Sequence, residues 1–261
     1  SDVVGLGRGT VARMLGARHP AGMAPFASTA LSDLFGHLAG VGQLQLDGLR
    51  RYWLPANLIR VPDLSLQAVK TVANEGICLY GVPRPSLVES LLGAPDAASR
   101  RTILGRSWRP ITDDCEAALD QCVAPQIRYP VSVTRKAITA LRAGHVEASQ
   151  ALLANTLDST LTIAIENQQV PSSVRRAHAV QSHSRELTVR GYLVLAPIGE
   201  AHRRYRPAAG ELVPQQFNRH ASVHSVSRRQ YSRRNAVQAL LQVTGLIAFL
   251  NEMRVARRFS V

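Results

Sequence analysis

Apolar residues recur along most of this chain at helical rather than strand spacing, and prolines cut the pattern into segments. Leu31, Leu34, Phe35, Leu38 and Val41 form the first stripe, spaced so that one helix face collects them. After Pro55 and Pro62, Asp63 or Ser65 can cap a helix reaching to residue 79, because a short side-chain oxygen accepts from the unpaired amides of a first turn. Beyond Pro83 and Pro85 the pattern predicts short helices at 86–92 and 96–105. Another follows at 112–123, capped by Thr112, with Asp113 and Asp114 placed favourably for the helix dipole. Pro125 and Pro130 mark the next break, and a long helical segment follows over 134–168 with Ile138, Leu141, Leu152, Leu153, Leu157, Leu161 and Ile165 as its stripe. Gly144 is placed to kink or split that segment. Residues 170–190 read as an exposed connection, with 185–195 either helix or short strand, and 197–208 as a short helix. The last helix spans 227–253 and presents Val237, Leu240, Leu241, Thr244, Ile247 and Ala248 on one face. With no internal repeat and no sustained strand alternation, the expected fold class is mostly α, a helical bundle.

Residues 1–27, rich in Gly, Ala, Pro and Arg, read as a flexible basic arm. The pattern then divides into a helical N-terminal region, 28–130, and a second helical domain, 131–261. At 261 residues, 46% of them apolar, the chain is long enough to bury a substantial core, which excludes disorder throughout. The longest apolar run, 236–250, is interrupted by Gln238 and Gln242. It falls short of the roughly 20 residues a membrane span needs, so a core helix is expected there and no membrane association. Cys78, Cys115 and Cys122 lack the spacing of a zinc knuckle or redox pair and fit a reducing, cytoplasmic setting. Trp53 and Trp108 read as packing anchors, and His202 as a surface or hydrogen-bonded position.

Charge changes the picture. Of the 31 basic residues only Lys70 and Lys136 are lysine, a skew that biased codon usage alone can produce. Codon usage acts on a whole chain, however, and the net charge of +13 is not evenly spread. Residues 175–261 hold 15 arginines against Glu186, Glu200, Glu211 and Glu252, whereas the preceding 174 residues are nearly neutral. A cationic third of this kind attracts phosphate polymers through counterion release, although a merely solubilising face carries charge as well.

Within that third lies Asn218-Arg219-His220-Ala221-Ser222-Val223-His224, just ahead of the last predicted helix. Cleaving RNA takes a base for the 2′-hydroxyl, an acid for the departing 5′-oxygen and a cation for the charge on the phosphorane. Imidazole serves the first two because both its protonation states exist near neutrality, and guanidinium serves the third with its planar fork of donors. His224 is thus the candidate base or acid and Arg219 the stabiliser. His220 can orient the phosphate or share proton transfer, while Asn218 can either fix the turn or hydrogen-bond the substrate. Arg228, Arg229, Arg233 and Arg234 crowd the start of the last helix. Cations are disfavoured at that position unless an anion such as a phosphate, or acids such as Asp113, Asp114 or Glu116, neutralise them. Three alternatives remain beside catalysis. Arg219 and His224 can be a helix-capping pair that satisfies backbone carbonyls and a neighbouring acid, since polar clusters before long helices serve as hydrogen-bonded anchors. His220 and His224 have the i,i+4 spacing of zinc ligands, but Ala221 stands where a His-Glu-x-x-His motif has its glutamate. Alternatively, the arginine-rich surface binds nucleic acid or another partner without cutting.

Arg-x4-His with a polar residue directly after the arginine resembles the signature of HEPN ribonucleases, and Arg219-His220 through His224 is one form of it. The likeness extends to Tyr231, Arg234-Asn235-Ala236 and the final apolar helix, and back to the segment around Gly144-His145-Val146-Glu147-Ala148, about 130–255 in all. The resemblance implies a HEPN-like helical domain in the second half. It also implies a homodimer that cuts RNA without a metal ion or other cofactor, with one His224 as base and the other as acid. A toxin or defence role, with an antitoxin or regulatory protein as a further partner, follows from the same resemblance. The first half would select substrate, sense a signal or aid oligomerisation.

Overall fold

The computed structural model describes residues 53–170, 172–175, 189–224 and 226–258. The expected basic arm, the stripe from Leu31 to Val41 and most of the 170–190 connection lie outside the described residues. Ten α-helices, and no strand, are found among the described residues. In chain order they are α1 (Ala56–Ile59), α2 (Leu66–Asn74), α3 (Pro85–Gly93), α4 (Ala97–Arg106), α5 (Trp108–Asp120), α6 (Arg128–Arg142), α7 (Val146–Glu166), α8 (Val189–Ala201), α9 (Arg219–His224) and α10 (Arg233–Arg258). The protein is mostly helical, as its periodicity predicts.

Local chemistry explains the boundaries, including those that differ from expectation. Ser65 caps α2, accepting from Ala68 N at 3.2 Å, and Asp96 caps α4, accepting from Ser99 N at 2.7 Å. Helix α2 stops at Asn74 rather than continuing to 79, because Gly76 turns at φ +80° into the buried segment from Ile77 to Val82. Thr112 is no cap: α5 begins at Trp108, and the Thr112 hydroxyl donates to Arg109 O at 2.7 Å inside the helix. Pro130 does not break the chain but sits in the first turn of α6, where its missing N–H has no intrahelical partner to lose. Gly144, at φ +88°, splits the predicted 134–168 helix into α6 and α7. Pro197 likewise lies inside α8 instead of opening a helix. Helix α10 starts at Arg233 rather than 227, after a turn in which Ser232 Oγ accepts from Asn235 N.

The core has α10 at its centre. This helix packs against α4 and α5 from the first half and against α6, α7 and α8 from the second. The 130/131 boundary therefore does not separate two cores, and one cluster of buried side chains runs from Trp53 to Leu250. By length and composition Arg233–Met253 is apolar enough to cross a membrane, but 78% of its most apolar window is buried inside the fold. Its glutamines are buried connectors. Gln238 Nε2 donates to Glu75 O at 2.8 Å while its Oε1 accepts from Phe217 N at 3.0 Å, and Gln242 Nε2 donates to Gly76 O at 2.7 Å. Gly245 lets α10 approach the Ile77–Val82 segment, since a Cβ there would sit 2.4 Å from Cys78 Sγ. All three cysteines are free and buried.

Candidate functional site

The heptad is held by a buried polar lattice. Asn218, 3% exposed, caps α9: its Oδ1 accepts from Ala221 N at 2.7 Å and its Nδ2 donates to Arg203 O at 2.7 Å. Both side-chain polar atoms are thus committed inside the protein, and Asn218 fixes the turn that starts α9. Gln230 Oε1 accepts from Asn218 N at 2.9 Å, and Gln150 on α7 donates to Ser222 Oγ at 3.0 Å and Gln230 O at 3.1 Å. Asn235 on α10 donates to Gln230 O at 2.7 Å, and the Tyr231 hydroxyl donates to Ser222 O. A buried polar group left unpaired costs about 1–3 kcal/mol; the hydrogen bonds of this lattice favour one placement of α9 between α7 and α10, although Asn235 Oδ1 has no partner among the described residues.

On that anchor three of the predicted residues come together. The rings of His220 and His224 lie 4.6 Å apart between centroids, tilted by 50°. Arg219 is half-buried, and its Nη2 donates to Asp158 Oδ2 on α7 at 3.0 Å. Asp158 is shared: His202 Nε2 stands 3.5 Å from its Oδ1, an ion-pair distance rather than a good hydrogen bond, and Arg175 stands at 4.0 Å. The His202 ring first, then the Arg219 and Arg175 charges, hold the Asp158 carboxyl below the usual carboxylate range against the opposing effect of burial. Burial, followed by the charges of His224, Arg219 and Arg204, pushes His220 below the ordinary histidine value. His220 Nδ1 is buried without a hydrogen-bond partner among the described residues, while His224 is exposed. The outcome is one imidazole biased to its neutral, proton-accepting form, a second open to solvent, and a guanidinium aimed by a carboxylate.

The remaining arginines are placed differently. Arg228 and Arg229 are exposed in the turn before α10. The Arg233 guanidinium lies 5.2 Å from the Trp108 ring centroid, and the Arg234 Cβ packs over Gly105 at the end of α4. None of the four forms an ion pair among the described residues. The acids named as their counter-charges are engaged elsewhere: Asp113 and Glu116 each meet Arg142 at 2.7 Å, and Asp114 meets Arg84 at 2.6 Å. His220 and His224 do share one side of α9, but no group of three or more His, Cys, Asp or Glu suited to a metal occurs among the described residues. The sequence pattern did not point to Asp158, His202 or Arg204. Asp158 follows the buried Leu157 on a helix that also carries Glu147 and Glu166, where a single carboxylate looks like a solvated position.

No known family, no curated protein and no solved structure matches the chain.

Proposed function

We propose that this protein is an RNA endonuclease that works without a metal ion, with the HEPN-like Arg219-to-His224 segment as its active site. The observation that carries the reading is the convergence, on one six-residue helix, of two imidazoles in ring contact and a guanidinium held by Asp158. In this reading an imidazole takes the proton of a 2′-hydroxyl as its oxygen attacks the adjacent phosphorus. The bond from phosphorus to the 5′-oxygen breaks, and that oxygen takes a proton from an imidazolium, leaving a 2′,3′-cyclic phosphate and a 5′-hydroxyl. The nucleophile belongs to the RNA, so the protein supplies only proton transfer and charge stabilisation. Neutral His220 or the open His224 is suited to accept the first proton, and Arg219 to meet the phosphorane.

A homodimer belongs to the same proposal. Val223 and Val226 flank His224 at 46% and 93% exposure, and covering them with a second copy would bring a second His224 towards the same phosphate as the acid. A toxin or defence setting, with a protein that restrains the activity, accords with the resemblance. The test is a cleavage assay on single-stranded RNA in chelator, with product ends identified. The proposal expects cutting that leaves cyclic phosphates and is abolished by His224→Ala and by Arg219→Ala in proteins that still bind RNA. RNA binding by the parent protein without any cutting would instead favour a non-catalytic nucleic-acid-binding module.

A further inference from the structure

The cationic surface is not confined to the C-terminal third, because the fold carries part of the first half to it. Trp108 opens α5, and two guanidiniums lie near its ring: Arg109 at 5.1 Å and Arg233 at 5.2 Å from the centroid. Arg234 follows Arg233 and packs over Gly105, so the start of α10 rests on the junction between α4 and α5. Arg101 on α4 donates to Gln215 Oε1 at 2.9 Å, tying the same end of the bundle to the irregular segment leading into Asn218. None of these four arginines makes an ion pair among the described residues, and neither α5 nor α10 has an acid in its first turn. Asp113, Asp114, Glu116 and Asp120 of α5 pair with Arg142, Arg84 and Arg135.

The two guanidiniums at Trp108 are within about 10 Å of each other, close to the Debye length at 0.1 M salt, so salt weakens their repulsion without abolishing it. Attraction to the indole offsets part of that cost. A chain of phosphates would offset the rest. Trp108 is packed against the core on one side, which makes it a fixed platform rather than a loose side chain. The Tyr231 hydroxyl, bonded to Ser222 O, ties the segment leading to Arg233 back to α9. From His224 to Arg233 the chain spans at most about 30 Å even if fully extended, within reach of one short oligonucleotide.

We infer that the Arg109–Trp108–Arg233 face, extended by Arg101 and Arg234, is a docking surface for single-stranded RNA. Phosphates meet the guanidiniums, and an unpaired base stacks against the indole–guanidinium cluster that Trp108 anchors. A duplex hides its base faces and is a poor fit to an indole platform, whereas a single strand offers both groups. The choice of RNA rests on the proposed function; the surface itself rests on the charges and the ring.

The test uses the full chain carrying His224→Ala, so that binding is read without cutting, and follows the anisotropy of a labelled single-stranded oligoribonucleotide over a salt series. Trp108→Ala is expected to weaken binding about 5- to 150-fold, and Trp108→Phe to retain most of it. Arg109→Gln with Arg233→Gln is expected to flatten the slope of log K against log salt by about 1.4. If Trp108→Ala fails to fold by circular dichroism, the exposed arginine pair carries the test. Unchanged affinity and slope in the arginine variant, or tighter binding of duplex RNA or of an acidic peptide, overturns the inference. Binding lost in these variants of a protein that never cuts RNA would sink the nuclease reading alone. Cutting that depends on His224 but is indifferent to Trp108 and the two arginines would sink the docking surface alone.

Discussion

Replacing Asp158 with asparagine removes the one carboxylate that, among the described residues, faces Arg219, His202 and Arg175, and leaves a side chain of nearly the same size. Arg219 loses its 3.0 Å partner, Arg175 loses a counter-charge at 4.0 Å, and His202 loses the carboxylate 3.5 Å from its Nε2. The carboxylate is 31% exposed, so solvent screens much of the attraction, and a stability loss of about 1–2 kcal/mol is expected rather than the larger cost of breaking a fully buried pair. In a domain of this size that corresponds to a fall in Tm of roughly 2–8 °C. Catalysis should suffer more, because an arginine displaced by about 1 Å can cost about 100-fold in rate. The expectation is therefore a fall in kcat of about 10- to 100-fold with KM little changed, partly recovered by Asp158→Glu. The pH dependence carries a definite sign. The carboxyl titrates below its usual value in the folded protein. Its contribution is accordingly present above the unfolded value of about 3.9 and is lost as pH falls through the folded one. The stability gap between parent and Asp158→Asn should be full at pH 7 and close under strong acid. Single-turnover cleavage and thermal melts across pH measure both. A variant that cuts and melts like the parent at pH 7 would refute the reasoning.

Three other perturbations test the scaffold. Asn218→Ala removes the cap of α9 and strands Arg203 O, so it should lower stability by about 1–2 kcal/mol in urea titration and reduce cleavage in proportion to the misplaced helix. Gly245→Ala drives a methyl group towards Cys78 Sγ and should cost about 1–3 kcal/mol by the same measurement, with no effect on the site beyond that of stability. His220, partly buried and beside positive charge, should titrate below 6.5 by nuclear magnetic resonance. Since the fold favours its neutral form, stability should fall as pH drops through 6.5, and His220→Gln should abolish that part of the slope.

Much of this architecture is legible in the chain. The spacing of apolar residues finds α3, α4 and the long α6 to α7 pair, and Ser65 and Gly144 act where their chemistry predicts. Errors cluster at prolines, because Pro130 is harmless in a first turn and Pro197 is accommodated inside the buried α8. The motif could be read because its three functional groups lie within six residues. Asp158 could not, since its partner is 61 positions away on another helix. Gln238 and Gln242 interrupt an apolar run in the sequence and hydrogen-bond backbone carbonyls in the fold. Trp108 joins the arginines of α10 only after the chain folds.

The central claim concerns chemistry at α9, and the most direct measurement is the fate of a single-stranded RNA incubated in chelator with the parent protein and with His224→Ala at equal, saturating binding. The account predicts 2′,3′-cyclic phosphate ends with the parent and intact RNA with the variant. Intact RNA with both proteins, or equal cutting by both, would contradict it.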